Sequence, residues 1–226
     1  MRATTWTASL VPIDLRVSRL VVAGVGFVPV TLIAATAFGV SDLRWLAVHA
    51  LLPALVVASV IARRDRSIAA DVRGALVAGM AATAFYDTYR FAFLALGLVP
   101  TDPIPHIGRA LGLQPAWMFG YLWRYVGNGG GLAVAFVLLG FRGARAGIAY
   151  GLFVCGGLLV TLVASPNGQE MLFPFTGATI VMAVGGHIIY GAVLGWLCSS
   201  PGSIAGGTGR ARGPYARRAA AGAGLF

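Results

Sequence analysis

Six stretches of about twenty apolar residues fill most of this chain, near 17–39, 43–62, 74–97, 117–140, 144–164 and 173–198. A helix rising ~1.5 Å per residue needs roughly twenty such residues to cross ~30 Å of hydrocarbon. The predicted fold is therefore all-α: a polytopic membrane protein of six transmembrane helices. Only 11% of the 226 residues are charged, against about 25% in a soluble domain. The spans leave no room for a separate soluble domain. The first apolar run is too long for the core of a cleavable signal, so none is expected.

Net charge is +10, a balance that would suit nucleic acid if it were spread over one surface. It is not. Arg2, Arg16 and Arg19 precede the first span, and Arg63, Arg64, Arg66 and Arg73 lie between the second and third. Arg142 and Arg145 lie between the fourth and fifth, and Arg210, Arg212, Arg217 and Arg218 follow the sixth. The opposite side has only Arg44 and Arg109, beside Asp42, Asp102 and Glu170. This is the positive-inside pattern, which predicts both termini in the cytoplasm and a multi-pass protein of the cell membrane. Its partners are then membrane lipids, with no role for nucleic acid. All seventeen basic residues are arginine, which excludes lysine Schiff-base chemistry.

Residues 1–16 read as a cytoplasmic arm, 17–198 as the helix bundle and 199–226 as a disordered basic tail. A tight external turn, 40-VSDLR-44, joins the first two spans, and the basic loop 63-RRDRSIAADVR-73 joins the next two. Four prolines in 98–116 forbid a continuous helix there, though 107-IGRALGL-113 suits a short interfacial turn. Gly143, Gly147 and Gly151 recur at helix-packing spacing in the fifth span, as do Gly191 and Gly195 in the sixth, letting backbones approach closely. A three-plus-three division would give halves of opposite orientation, as in inverted-repeat transporters. The halves share no convincing sequence match, so the pattern gives that architecture little support.

Charge inside the third and fourth spans is the feature that calls for an explanation. Asp87 lies about 15 Å below the outer end of its span and Arg90 about 10 Å, while Arg124 lies about 10 Å and Asn128 about 16 Å below theirs. The matched depths do not prove a contact but make one economical: Asp87 within a turn of Arg90, and facing Arg124, would offset much of the ~2.5–3.5 kcal/mol cost of a charge near the bilayer centre. One acid against two arginines leaves the cluster net positive, open to a small anionic ligand. The run 127-GNGGG-131 is no dinucleotide fingerprint, since Leu132 stands at its last glycine position and no strand precedes it. It suits a close helix crossing or an unwound turn. His187, with Tyr190 almost one turn on, is a further candidate for a ligand or proton site. His49 and His187 differ in depth, which disfavours haem. No HExxH or CxxC motif occurs, so no cofactor or metal is expected. Cys155 and Cys198 sit at depths too different for a disulfide.

The sixth span resembles that of the rhomboid proteases, in which a histidine before a glycine stripe is the general base. Their nucleophilic serine would fall at 127-GNGGG-131, where this chain has Asn128 and no serine. Without a nucleophile the resemblance implies at most an inactive relative. Residues 74–198 also resemble a family of bacterial multi-span membrane proteins with no assigned activity. The shared features are 86-YDTYR-90, the Pro-containing loop with 107-IG-108, 128-NG-129 and 187-HIIYGAVLG-195. Members of that family have histidine near the position of Arg124, so a titratable role there does not carry over.

The expected function is non-enzymatic: transport or permeation of a small anion, proton or lipid through a polar core of Asp87, Arg90, Arg124, Asn128, His187 and Tyr190. The alternative is a structural subunit bound to a membrane protein partner or to a second copy. No nucleophile–base pair or paired carboxylates support an enzyme.

Overall fold

The computed structural model describes residues 14–199; residues 1–13 of the expected arm (1–16) and residues 200–226 of the expected tail (199–226) lie outside the described residues. The described chain is all-α, with no strand among the described residues. Helices run over Leu15–Ala37 (α1), Leu43–Arg64 (α2) and Arg66–Ala95 (α3). Ile104–Ala110 (α4) and 116–138 (α5) follow, then Gly143–Ala164 (α6), Gly168–Met171 (α7) and Gly177–Leu197 (α8). Five of them, α1, α2, α3, α6 and α8, are long and apolar enough to cross a membrane. Helix α5 is unbroken, but a polar middle containing Arg124 and Asn128 keeps it outside that set.

Local chemistry explains where the helices begin. The Asp14 side chain accepts the Arg16 N–H and starts α1. Asp65 alone interrupts the helix between Arg64 and Arg66, and its carboxylate caps α3 by accepting from the N–H groups of Ser67 and Ile68, which leaves fewer orphan donors at that end. The basic segment 63–73, expected as a loop, is therefore almost wholly helical. Its arginines ride on the ends of α2 and α3. The proline-rich segment 98–116 does contain a short helix, and it begins at Ile104 with Pro105 in its first turn, where a missing N–H costs nothing. Thr176 and Thr179 form a reciprocal capping box at the start of α8.

Two segments widen to π-helix. One, Ala47–Leu51, ends two residues before Pro53, which supplies no N–H to the carbonyl one turn back. The other, Trp123–Gly130, occupies the centre of α5. The glycine run there is thus neither unwound nor a plain α-turn. Tyr190 Oη donates to the Gly129 carbonyl at 2.7 Å and Tyr150 Oη to the Leu132 carbonyl at 2.8 Å, pinning the widened stretch to α8 and the turn just beyond it to α6.

Glycine decides how the helices meet. A Cβ added at Gly147 would stand 2.0 Å from the Gly191 carbonyl oxygen, and one at Gly151 2.2 Å from that of His187. The two small-residue stripes of α6 and α8 therefore face each other at backbone contact. Gly79 of α3 meets Gly129 of α5 in the same way, and Gly26 of α1 meets Gly131. The pairing order is α6 on α8, α8 on α3, α3 on α5 and α5 on α1. This arc nearly closes into a ring, because α6 touches α1 only lightly. Helix α2 lies outside it, and its Leu52–Arg64 portion buries no residue.

Side chains added at these crossings will separate the helices. Gly147→Val should lower the stability of the purified protein in nanodiscs by about 1–3 kcal/mol or more, the usual range for overpacking. Gly156→Ala should leave it unchanged or slightly raised, because nothing lies within 4 Å of a Cβ there. Paired thermal unfolding curves check both.

Candidate functional site

Asp87, on the inner face of α3, is 1% exposed and Arg90, one turn on, 2%. Arg90 Nε donates to Asp87 Oδ1 at 2.9 Å. From α5, Arg124 Nε donates to both oxygens of the same carboxylate, at 2.8 and 3.0 Å, and Nη2 adds a third bond to Oδ1. One carboxylate thus receives two guanidinium groups, a contact that the matched depths of the two helices allow without requiring. Packing of α3 on α5 through Gly79 and Gly129 brings them together. Each guanidinium also lies over a ring: Arg90 Cζ is 4.7 Å from the Phe91 centroid and Arg124 Cζ 4.6 Å from that of Tyr86, contacts that favour a desolvated cation.

The excess positive charge inferred from the spans alone is corrected by Asp102. This residue lies in the segment between α3 and α4, and its Oδ1 accepts from Arg90 Nη1 at 2.6 Å. Tyr121 Oη, from the first turns of α5, donates to Asp102 Oδ2 at 2.6 Å and accepts from Arg90 Nη2 at 2.8 Å. The Ile104 N–H completes the set on Asp102 at 3.0 Å. Two arginines and two aspartates make the cluster neutral. Burial favours a neutral Asp102 carboxyl, but the Tyr121 hydroxyl, the Ile104 N–H and the Arg90 charge outweigh it and hold its pKa below the ordinary 3.8.

The two arginines consequently differ. Every nitrogen of Arg90 has a partner, and the residue ties the segment between α3 and α4 to α3 and α5. Arg124 is 14% exposed, and its Nη1 has no hydrogen-bond partner among the described residues. It borders a partly enclosed cavity of about 410 Å³ inside the helix ring, within the roughly 300–1,000 Å³ typical of small-molecule sites. Asn128, His187 and Tyr190 border the same cavity, and apolar side chains such as Phe27, Ile33, Leu158 and Met182 supply most of the wall. Ile104, Ile107 and Phe173 line the end nearest α4 and α7.

The remaining predicted residues take separate roles at this cavity. Asn128 Oδ1 is buried without a hydrogen-bond partner among the described residues. His187 Nδ1 donates to the Ala183 carbonyl at 2.7 Å, since a carbonyl only accepts, and its ring meets Tyr86 edge-on at 5.2 Å. That leaves Nε2 without a hydrogen-bond partner among the described residues. Tyr190 is used up on the Gly129 carbonyl and does not extend to the Asp87 cluster. Cys155 and Cys198 are both free and buried.

Asp102 and Tyr121 were missed by reading the spans. Charge balance was the signal for the acid: two intramembrane arginines beside one aspartate call for a second carboxylate, and Asp102 is the nearest in the chain. Tyr121 stands one turn before Arg124 and shares its face.

Asp87→Asn leaves two buried guanidinium groups sharing a neutral amide, so it should cost about 3–5 kcal/mol, the range for a broken buried pair. Asp102→Asn should cost less, because Arg90 keeps Asp87. The stability gap between wild type and Asp102→Asn should persist at neutral pH and close as pH falls below 3.8. The sign follows from a folded-state pKa below the unfolded one, whose contribution is lost on protonation. Thermal unfolding across pH 3–7 checks the order and the window.

Comparison with family models, with curated proteins and with solved structures finds no match for this chain.

Proposed function

We propose that this chain is a six-helix multi-pass protein of the cell membrane, with both termini cytoplasmic, that binds an amphipathic molecule in its internal cavity and moves it across or between leaflets. The carrying observation is the cavity itself: Arg124 Nη1 and Asn128 Oδ1, both without partners among the described residues, border it amid apolar side chains. The unbroken helix over 116–138 supports counting α5 as the sixth span. With six spans, all thirteen arginines up to Arg19, around the α2–α3 junction (63–73), at the start of α6 (142–145) and after the sixth span fall on one side, which supports the orientation. A small hydrated anion is the weaker ligand, because Asp102 already balances the second arginine. Charge transfer through an apolar-walled space is also costly.

A structural subunit is the second reading, and one observation favours it. The neutral chain Asp102–Arg90–Asp87–Arg124 locks the external segment to two helices without any ligand. The exposed apolar face of α2, with Leu52, Leu55 and Val56, would then meet a membrane protein partner or a second copy.

Asn128→Leu separates the readings. Removing a buried unsatisfied carbonyl should raise stability or leave it unchanged, since such a group costs about 1–3 kcal/mol. If the cavity carries amphiphiles, the same variant loses transport. The measurement is dithionite-accessible flipping of a tail-labelled fluorescent monoacylglycerol in proteoliposomes. Wild type should exceed protein-free vesicles and Asn128→Leu should return to their rate. A wild type no faster than empty vesicles would leave the structural reading standing.

A further inference from the structure

The ring of helices that surrounds the cavity has one thin wall. Helices α1 and α6 are tied where the Phe27 and Tyr150 rings meet at 6.1 Å. They are tied again near α7, where the Asn167 N–H donates to the Ala37 carbonyl at 3.2 Å. Between these ties the wall is made of Thr31 on α1 and of Phe153 and Gly157 on α6, all of which line the cavity. Each of the three is also exposed on the outside of the protein, Phe153 to 70%. A Cβ at Gly157 would have nothing within 4 Å among the described residues. Residues that line an internal space and the outer surface at once mark an opening, and this one faces sideways between two helices apolar enough to cross a membrane.

The polar end of the cavity specifies the head of its occupant. Arg124 Nη1 calls for an acceptor, while Asn128 Oδ1 and His187 Nε2 call for a donor. The charges around them already sum to zero, so a full anion would arrive as an uncompensated buried charge. An uncharged head that both donates and accepts satisfies the set. A hydroxyl does so.

Building on the cavity reading above, we propose that the ligand is a single-chain amphiphile with an uncharged hydroxyl head, which enters from the bilayer through the window between α1 and α6. The head docks on Arg124 and Asn128. The acyl chain lies along the apolar wall and leaves past Gly157.

Gly157→Trp tests the route, because open space at that position lets the ring fill the window without displacing neighbours. The probe is radiolabelled monoacylglycerol bound to the protein in nanodiscs, with empty nanodiscs as background. An alkyl sulfate of equal chain length and the water-soluble glycerol monobutyrate serve as competitors. Wild type should bind saturably, and the sulfate should compete at least about tenfold more weakly, the worth of one badly matched polar contact. Gly157→Trp should lose binding by about tenfold or more while its unfolding temperature stays at the wild-type value. Equal competition by the sulfate, or undiminished binding to folded Gly157→Trp, overturns the proposal. Saturable binding of radiolabelled monobutyrate, measured directly where the monoacylglycerol does not bind, overturns lateral entry and keeps the cavity as a site. Binding of none of the three removes the cavity reading as well.

Discussion

One carboxylate, that of Asp87, holds the centre of this molecule. In a medium without water a guanidinium group is tolerable only with a partner, and here two arginines from two helices share a single acid. Their positions require α3 and α5 to lie close. Closeness in turn requires glycine at Gly79 and Gly129, where any side chain would strike backbone or a neighbouring side chain. The π-widening of Trp123–Gly130 belongs to the same arrangement. It sits on the turns that carry Arg124 and Asn128, and carbonyls at its end and just beyond it accept from Tyr190 and Tyr150 across the ring.

From that centre the structure divides its polar groups into a closed half and an open half. Arg90, Asp102 and Tyr121 satisfy one another and fasten the segment before α4 to the bundle. A network of this kind rigidifies because removing any member strands the others. Arg124 and Asn128 keep unused hydrogen-bonding capacity at the cavity edge. A chain under no demand but stability would gain by closing that half too, since a buried orphan acceptor is a standing cost. Its retention beside an apolar space is what makes ligand binding the better reading.

The glycine stripes do different work on the two sides of the ring. Between α6 and α8 they bring backbones into contact and seal the wall. On the outward side of α6, Gly156 and Gly157 meet nothing within 4 Å and the wall thins. The same residue type thus supports a tight crossing and an opening, depending on whether a partner helix faces it.

Much was legible in the amino-acid sequence by itself. Apolar length alone determined an all-α membrane protein, because backbone in hydrocarbon must bond to itself, and rise per residue placed Asp87, Arg90 and Arg124 within reach of one another. The facing stripes of Gly143–Gly147–Gly151 and Gly191–Gly195 were legible as packing surfaces for the same reason of period. Depth along a helix says nothing of rotation about it, nor of where a loop folds back. Only the tertiary structure therefore brought Asp102 onto Arg90, turned Arg124 toward a cavity and left α6 barely touching α1. Those outcomes depend on contacts between segments far apart in the chain, which no local pattern encodes.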